Sequence, residues 1–207
     1  MSATPANRTI AIYSPPVRLG GRGTMIFVPQ SSRATDAVLK DEAGVVEALH
    51  RLLDPKNATG CLNPILRRSY LDAGHRKWAR EEVRDETSRK PSREEVRQNL
   101  ISETLGSWGT VDGKNENLAA SMQNEIATAY ADLVMSAPRQ RQPRVLKASE
   151  LPNISLRSDC VAWLDRPVIH GGWAFVSLHS PTAGHLYALR RDAAGWTVVG
   201  HRFTAIS

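Results

Sequence analysis

The C-terminal quarter of the chain constrains the fold most, because it has the pattern of an antiparallel strand meander. From Val161 to Phe203, short apolar runs alternate with clusters of Gly, Pro and Asp. The breaks fall at Gly171-Gly172 and at positions 181–184 and 192–195. β-forming residues between such turn signals are typical of strands joined by tight turns. We therefore expect three or four antiparallel strands in this region.

The middle of the chain has the apolar spacing of helices. The clearest local signal is Ser92 followed by Glu95, which has the spacing of a capping box at a helix start. A later segment carries an apolar stripe on one side, so we expect that helix to pack on the sheet. The charged helices before it should form an outer layer. The predicted helices cover Asp36 to Leu53, Pro64 to Thr87, Pro91 to Leu105 and Glu116 to Met135.

These patterns predict one α+β domain in the 207-residue chain. Its sheet should be mostly antiparallel and built chiefly from the C-terminal strands, with a strand pair near the N-terminus as an addition. The expected parts are an N-terminal strand pair with a basic loop (1–35), a helical region (36–137), a basic linker (138–152) and the C-terminal meander (153–207).

The compartment of the protein bears on the state of its two cysteines, because disulfides persist chiefly in oxidising compartments. No apolar stretch approaches the roughly 20 residues that a bilayer crossing needs, and the first residues lack the pattern of a secretory signal. The expectation is a cytoplasmic protein, unless a leader precedes the sequence. Cys61 and Cys160 are therefore interpreted as free thiols, and their pairing in an oxidising compartment is left open.

The candidate catalytic residues are Asp165, His170 and Tyr187. A carboxylate that orients an imidazole can tune a general base, and Asp165 lies close to His170 in sequence. A turn between two strands explains the same residues, and neither a nucleophile motif nor a spaced metal-ligand motif accompanies them. Histidines at 170, 179, 185 and 201 are likewise interpreted as strand-end and turn residues. We expect no cofactor and no metal, and an enzyme remains the alternative.

The charge of the chain raises the question of polyanion binding. The formal net charge is +6, which is compatible with a nucleic-acid partner but does not identify one. Basic residues of the predicted second and third helices alternate with acids, so they are interpreted as a solvated, ion-paired face. Acid-free segments are the better candidates, and their cations are Arg18, Arg22, Arg139, Arg141, Arg144 and Lys147.

Three C-terminal runs carry a family resemblance: 172–176 (GWAFV), 186–192 (LYALRRD) and 195–200 (GWTVVG). They resemble the closing strands of nuclear transport factor 2-like proteins, a cone-shaped α+β superfamily. The resemblance covers about a fifth of the chain. It implies a curved sheet with helices on one face, and it leaves function open, because members include enzymes and non-catalytic binding modules.

The preferred functional expectation is a non-enzymatic protein-binding or assembly module, whose partner is another protein or a second copy of the chain. The residues expected to bind are Trp163, Trp173, Tyr187 and Trp196, since aromatic side chains anchor interfaces where they are exposed. This hypothesis requires an exposed, contiguous apolar patch that includes a sheet tryptophan. A small-molecule site between sheet and helices is the alternative, and nucleic-acid binding is the third.

Overall fold

The structure is a computed structural model. It describes residues 30–54, 61–69, 71, 73–111, 117–136, 142–160, 162–181 and 183–204. The helices are α1 (Gln30–Leu53), α2 (Ala73–Thr87), α3 (Arg93–Thr104) and α4 (Ala120–Ser136). The strands are β1 (Cys61–Leu62), β2 (Ile65–Leu66), β3 (Arg144–Val145), β4 (Ser155–Leu156), β5 (Trp163–Leu164), β6 (Val168–His170), β7 (Trp173–His179), β8 (Gly184–Asp192) and β9 (Gly195–Thr204).

The central sheet is antiparallel and comes from the C-terminal strands. Its order is β5-β7-β8-β9, and β6 pairs with the same edge of β7 that β5 occupies further along. Two short ladders flank this sheet: β1 pairs with β4 in parallel, and β2 pairs with β3 in antiparallel orientation. The predicted α+β class with an antiparallel C-terminal sheet is confirmed.

Helices cover both faces of the sheet. Side chains alternate between faces along a strand, and Val176 and Leu189 pack with Leu49 of α1 on one side. Phe175 of β7 packs on the other side with α2, α3 and α4. The family resemblance implied helices on one face only, and the helix α1 on the second face is the difference.

Helix α4 approaches the sheet closely at Gly200 of β9. A Cβ atom at this position would lie 2.8 Å from a methyl of Leu118 and 2.9 Å from one of Ile126. The absent side chain is therefore what lets the start of α4 pack on β9. The loop before α4 is held by Gln123, whose side chain accepts from the Trp108 backbone N–H and donates to the Trp108 carbonyl.

Helix α3 begins where its capping signal predicts. Ser92 Oγ accepts from the Glu95 backbone N–H at 3.2 Å, and a Glu95 carboxylate oxygen accepts from the Ser92 N–H at 2.7 Å. Gly106, after the helix end, has φ +83°, a left-handed conformation that glycine adopts without a steric penalty. The capping box is thus confirmed.

Two of the predicted helix starts are wrong. Helix α1 already begins at Gln30, within the segment that was expected to hold strands and a loop. The helix predicted from Pro64 begins only at Ala73, because residues 65–67 are extended and pair with strands from the C-terminal half. The predicted N-terminal strand pair lies outside the described residues.

None of the helices in the described ranges has the length and apolar character needed to cross a bilayer.

The interpretation of the cysteines as free thiols is also wrong. Cys61 and Cys160 form a disulfide, with their Cα atoms 5.9 Å apart, a separation that is usual for such a bond. The bond joins β1 to the segment that follows β4. It therefore reinforces a parallel ladder of only two residue pairs.

Candidate binding surface

Four side chains on adjacent strands form a row across one end of the sheet. Ile65 of β2 is the cross-strand partner of Val145 in β3, and Trp163 of β5 is the partner of His179 in β7. A parallel bridge between Arg67 and Asp165 joins β2 to β5. Because this pairing is parallel, the residues two positions earlier in each strand are also neighbours, which places Ile65 beside Trp163. We call these four residues, Val145, Ile65, Trp163 and His179, the edge row.

The edge row lies outside the helical layer on its side of the sheet. The side chains that α2, α3 and α4 cover come from the next positions along the strands, where Phe175, Leu186 and Ala188 enter the core. Val145 is 64% exposed and Ile65 is 45% exposed. Trp163 is half-buried, and the His179 side chain is 28% exposed. The row is therefore an apolar and aromatic strip open to solvent.

Trp163 is held between cationic and aromatic neighbours from the strands on either side. The Arg67 guanidinium lies 4.0 Å from the centroid of the Trp163 ring, within the range of a cation–π contact. On the other side, the His179 ring is stacked at 5.8 Å between centroids and 13° between planes. These contacts restrict the indole, so that binding through it would cost little side-chain entropy.

Asp165 supports this stack from within the sheet. Its carboxylate Oδ2 lies 3.2 Å from Nε2 of His179, and its backbone N–H donates to the Ser177 carbonyl at 2.9 Å. The other ring nitrogen of His179, Nδ1, lies 3.7 Å from the place where a Cβ at Gly184 would sit. Asp165 and Gly184 together orient the imidazole ring parallel to the indole.

Burial raises the pKa of Asp165 above its usual value. The charge of His179, their hydrogen bond, the Ser177 hydroxyl and the Arg67 guanidinium all lower this pKa but do not outweigh burial. The Ser177 hydroxyl itself is buried and makes no hydrogen bond of standard geometry within the described part of the chain. The carboxylate is thus held by His179 and kept from direct contact with solvent.

The three candidate catalytic residues do not converge. Asp165 contacts His179 instead of His170. His170 is exposed at the far end of β6, where it lines a groove of about 460 Å³ beside α4. Tyr187 is buried on the opposite face of the sheet, in the core formed with α1, and burial raises the pKa of its hydroxyl.

The other tryptophans that were expected to bind occupy different places. Trp173 stacks on Phe175 at the margin of the α4 core, with centroids 6.4 Å apart. Trp196 packs under α1, where a Cβ at Gly44 would lie 3.1 Å from its ring. Trp163 alone of the expected tryptophans is part of the edge row.

Six basic residues were expected to bind a polyanion, and the structure describes two of them, Arg144 and Lys147. Arg18, Arg22, Arg139 and Arg141 lie outside the described residues. Arg144 is largely buried and bonds to Glu42 of α1 and to Glu150, so it is engaged in an internal ion cluster. Lys147 is exposed at the start of a single 3-10 turn, Ala148–Glu150.

No cluster of three metal-ligating side chains occurs among the residues that the structure describes.

The sequence did not indicate that Ile65, Arg67 and Val145 belong to this binding surface. Ile65 and Arg67 were placed in a helix, and the alternation of Ile65 outward, Leu66 inward and Arg67 outward spans too few residues to be recognised as a strand. Val145 was placed in a linker. Pro64 immediately before Ile65 is the one signal for extended chain at this position, although proline also occurs in the first turn of helices.

Comparisons of the chain with protein-family models, with curated proteins and with solved structures find no match.

Proposed function

We propose that this protein is a non-enzymatic binding module that recognises another protein through the edge row. The observation that carries the proposal is the continuity of Val145, Ile65 and Trp163 across adjacent strands on a part of the sheet that the helices leave uncovered. Exposed apolar side chains that adjoin one another mark interaction surfaces more often than scattered ones do. A fixed tryptophan at their centre is a typical interface anchor.

The charge around the edge row indicates the chemistry of the partner. Arg67 is exposed over Trp163, whereas the carboxylate of Asp165 is buried against His179. The surface thus presents positive charge above an apolar floor. A complementary partner segment carries apolar side chains for Ile65 and Val145 and a carboxylate for Arg67.

The geometry gives less support to the small-molecule alternative. The Asp165–His179 pair has the composition of a general-base dyad, but Nδ1 of the imidazole lies close to Gly184 and Ser177 is fully buried. We therefore assign Asp165 the role of positioning the His179 ring. The nucleic-acid hypothesis stays a prediction for the N-terminal and linker arginines.

The compartment belongs to the same proposal. A cytoplasmic location was expected, but the Cys61–Cys160 disulfide is a bond that forms and persists chiefly in oxidising compartments. We infer that the protein meets its partner in an oxidising environment.

The test compares two double variants that each replace two exposed apolar side chains. Ile65→Ser with Val145→Ser removes the apolar part of the edge row, and Val38→Ser with Leu105→Ser is the matched control on other surfaces. A partner is captured from native lysate by the tagged protein at high salt, purified, and titrated against both variants. We expect the edge-row variant to bind at least about tenfold more weakly, because central interface residues contribute on the order of 2 kcal/mol.

One further variant and one further measurement probe the identity of the partner. Arg67→Glu should weaken binding further and lower the association rate, since charge complementarity acts largely on encounter. Sedimentation of the purified protein tests whether the partner is a second copy. A captured partner that binds the edge-row variant as tightly as wild type would overturn the proposal, and so would failure to recover any stoichiometric protein.

A further inference from the structure

A second surface lies on the helical side of the molecule, away from the edge row. Here a cleft of about 510 Å³ opens between the first half of α2 and the start of α3. Among the described residues, five cationic side chains and no acidic one line it. They are Arg76, Lys77, Arg80, Lys90 and Arg93. We call this feature the basic cleft.

Spacing along α2 explains how the cations come together. Residues four apart share one side of a helix, so Arg76 and Arg80 face the cleft together, next to Lys77. The four acids of α2 line a separate groove with Trp78, and they are Glu81, Glu82, Asp85 and Glu86. Lys90, in the short α2–α3 connection, and Arg93, at the start of α3, add to the basic side.

The other arginines of α2, α3 and their connection are neutralised by ion pairs, and the cations of the basic cleft largely are not. Arg84 pairs with Asp85, Arg89 with Glu95, and Arg97 with Asp132. Within the described residues, Arg80, Lys90 and Arg93 make no ion pair or side-chain hydrogen bond. Lys77 has only an exposed contact with Glu81 at 3.8 Å. The expectation of an ion-paired, solvated face therefore holds for one part of this surface and fails at the cleft.

Arg76 is the fixed member of the group. Its Nη1 donates to the Met135 carbonyl near the end of α4 at 2.9 Å, which leaves its other guanidinium donors available. Like charges that converge without counterions repel one another, and a bound anion with several charges relieves this repulsion. Phosphate groups suit such a site because arginine donates to their oxygens in pairs and lysine adds charge.

We propose that the basic cleft binds a phosphorylated ligand with more than one phosphate group. The volume is in the range of small-molecule sites. The five cations carry more positive charge than the roughly two negative charges of one phosphate group neutralise. A soluble polyphosphorylated molecule and a phosphorylated lipid headgroup share this chemistry, and the experiment below separates the two sources.

The test uses the full-length protein with tripolyphosphate as the probe, titrated by calorimetry at low and high salt. Arg80→Ala with Arg93→Ala removes two unpaired cleft cations. Arg84→Ala with Arg157→Ala removes the same charge from exposed positions outside the cleft. Because charge-assisted hydrogen bonds to each arginine are lost, we expect the cleft variant to bind about tenfold or more weakly, and the control to change little. Thermal melting confirms that both variants are folded.

Vesicles containing cardiolipin, whose headgroup carries two phosphate groups, are compared with vesicles of neutral lipid in the second arm. Saturable tripolyphosphate binding that depends on the cleft indicates a soluble ligand, and vesicle binding with the same dependence indicates a headgroup. Absence of both, or equal losses in the two variants, would overturn the proposal. Self-association at low salt that disappears in the cleft variant would also overturn it, because the acidic groove of a second copy would then occupy the cleft.

Discussion

At the residue scale, the best-defined charge effect belongs to Glu95 in the α3 capping box. Its carboxylate bonds to the Arg89 guanidinium, and the Ser92 N–H donates to it as well. Arg89 first, and then Ser92, lower the pKa of Glu95 to about 2 from its usual 4.5. Both partners favour the ionised form, so the interaction at the helix start depends on that charge.

This shift predicts an acid-range loss of stability. A carboxyl whose pKa is lower in the folded state contributes stability that is fully present above its unfolded pKa. The contribution is lost as the pH falls from 4.5 to about 2. Urea unfolding across this range should show that Glu95→Gln removes part of the pH dependence, whereas Glu86→Gln does not. Identical pH profiles for wild type and Glu95→Gln would contradict this assignment.

At the scale of elements, Glu42 is the residue that joins α1 to the strands. It is fully buried, and its carboxylate contacts Arg144 of β3 at 2.9 Å and Arg166, between β5 and β6, at 3.0 Å. One carboxylate thus fixes a helix against two segments more than a hundred residues away. Arg166 also donates to the Gln142 carbonyl, which ties the same two segments together.

Loss of this carboxylate should destabilise the fold strongly. Glu42→Gln leaves two largely buried guanidinium groups with less negative charge, and we expect the free energy of unfolding to fall by about 3 kcal/mol. Glu47→Gln, in the same helix, removes only an exposed contact with Arg51 and should change it by less than about 0.5 kcal/mol. Denaturant titration of both variants measures the difference. Equal stabilities would show that the cluster does not carry the packing of α1.

The elements also show which features the sequence determines locally. Ser92 and Glu95 are three residues apart, so their capping box could be predicted, as could the long β7–β9 strands with their turn residues. The two-residue strands β2 and β3 have no period to recognise. The two strands pair with each other although they are about eighty residues apart in the sequence. The edge row therefore could not be predicted, although its tryptophan could be proposed as a binding residue.

At the scale of the whole molecule, the same limit applies to the disulfide. Cys61 and Cys160 are separated by 99 positions in the sequence. No sequence pattern indicates that β1 and β4 pair with each other and so bring the two cysteines together. The bond closes a loop that contains α2, α3 and α4 as well as β2 and β3. It thereby connects the two ends of the segment that forms the helical layer.

A loop of this length makes the disulfide the largest single contribution that we predict for the molecule. In the chain-entropy model, closing about a hundred residues in the unfolded state contributes on the order of 4 to 5 kcal/mol. Reductant should therefore lower the denaturant midpoint of wild type markedly and leave Cys61→Ser with Cys160→Ser unchanged. Peptide mapping under non-reducing conditions checks the pairing itself. If wild type and the double variant unfold together without reductant, the bond does not stabilise the fold. If they differ, the stability of the fold depends on oxidation of the two cysteines. The protein then keeps its full stability only where the disulfide can persist.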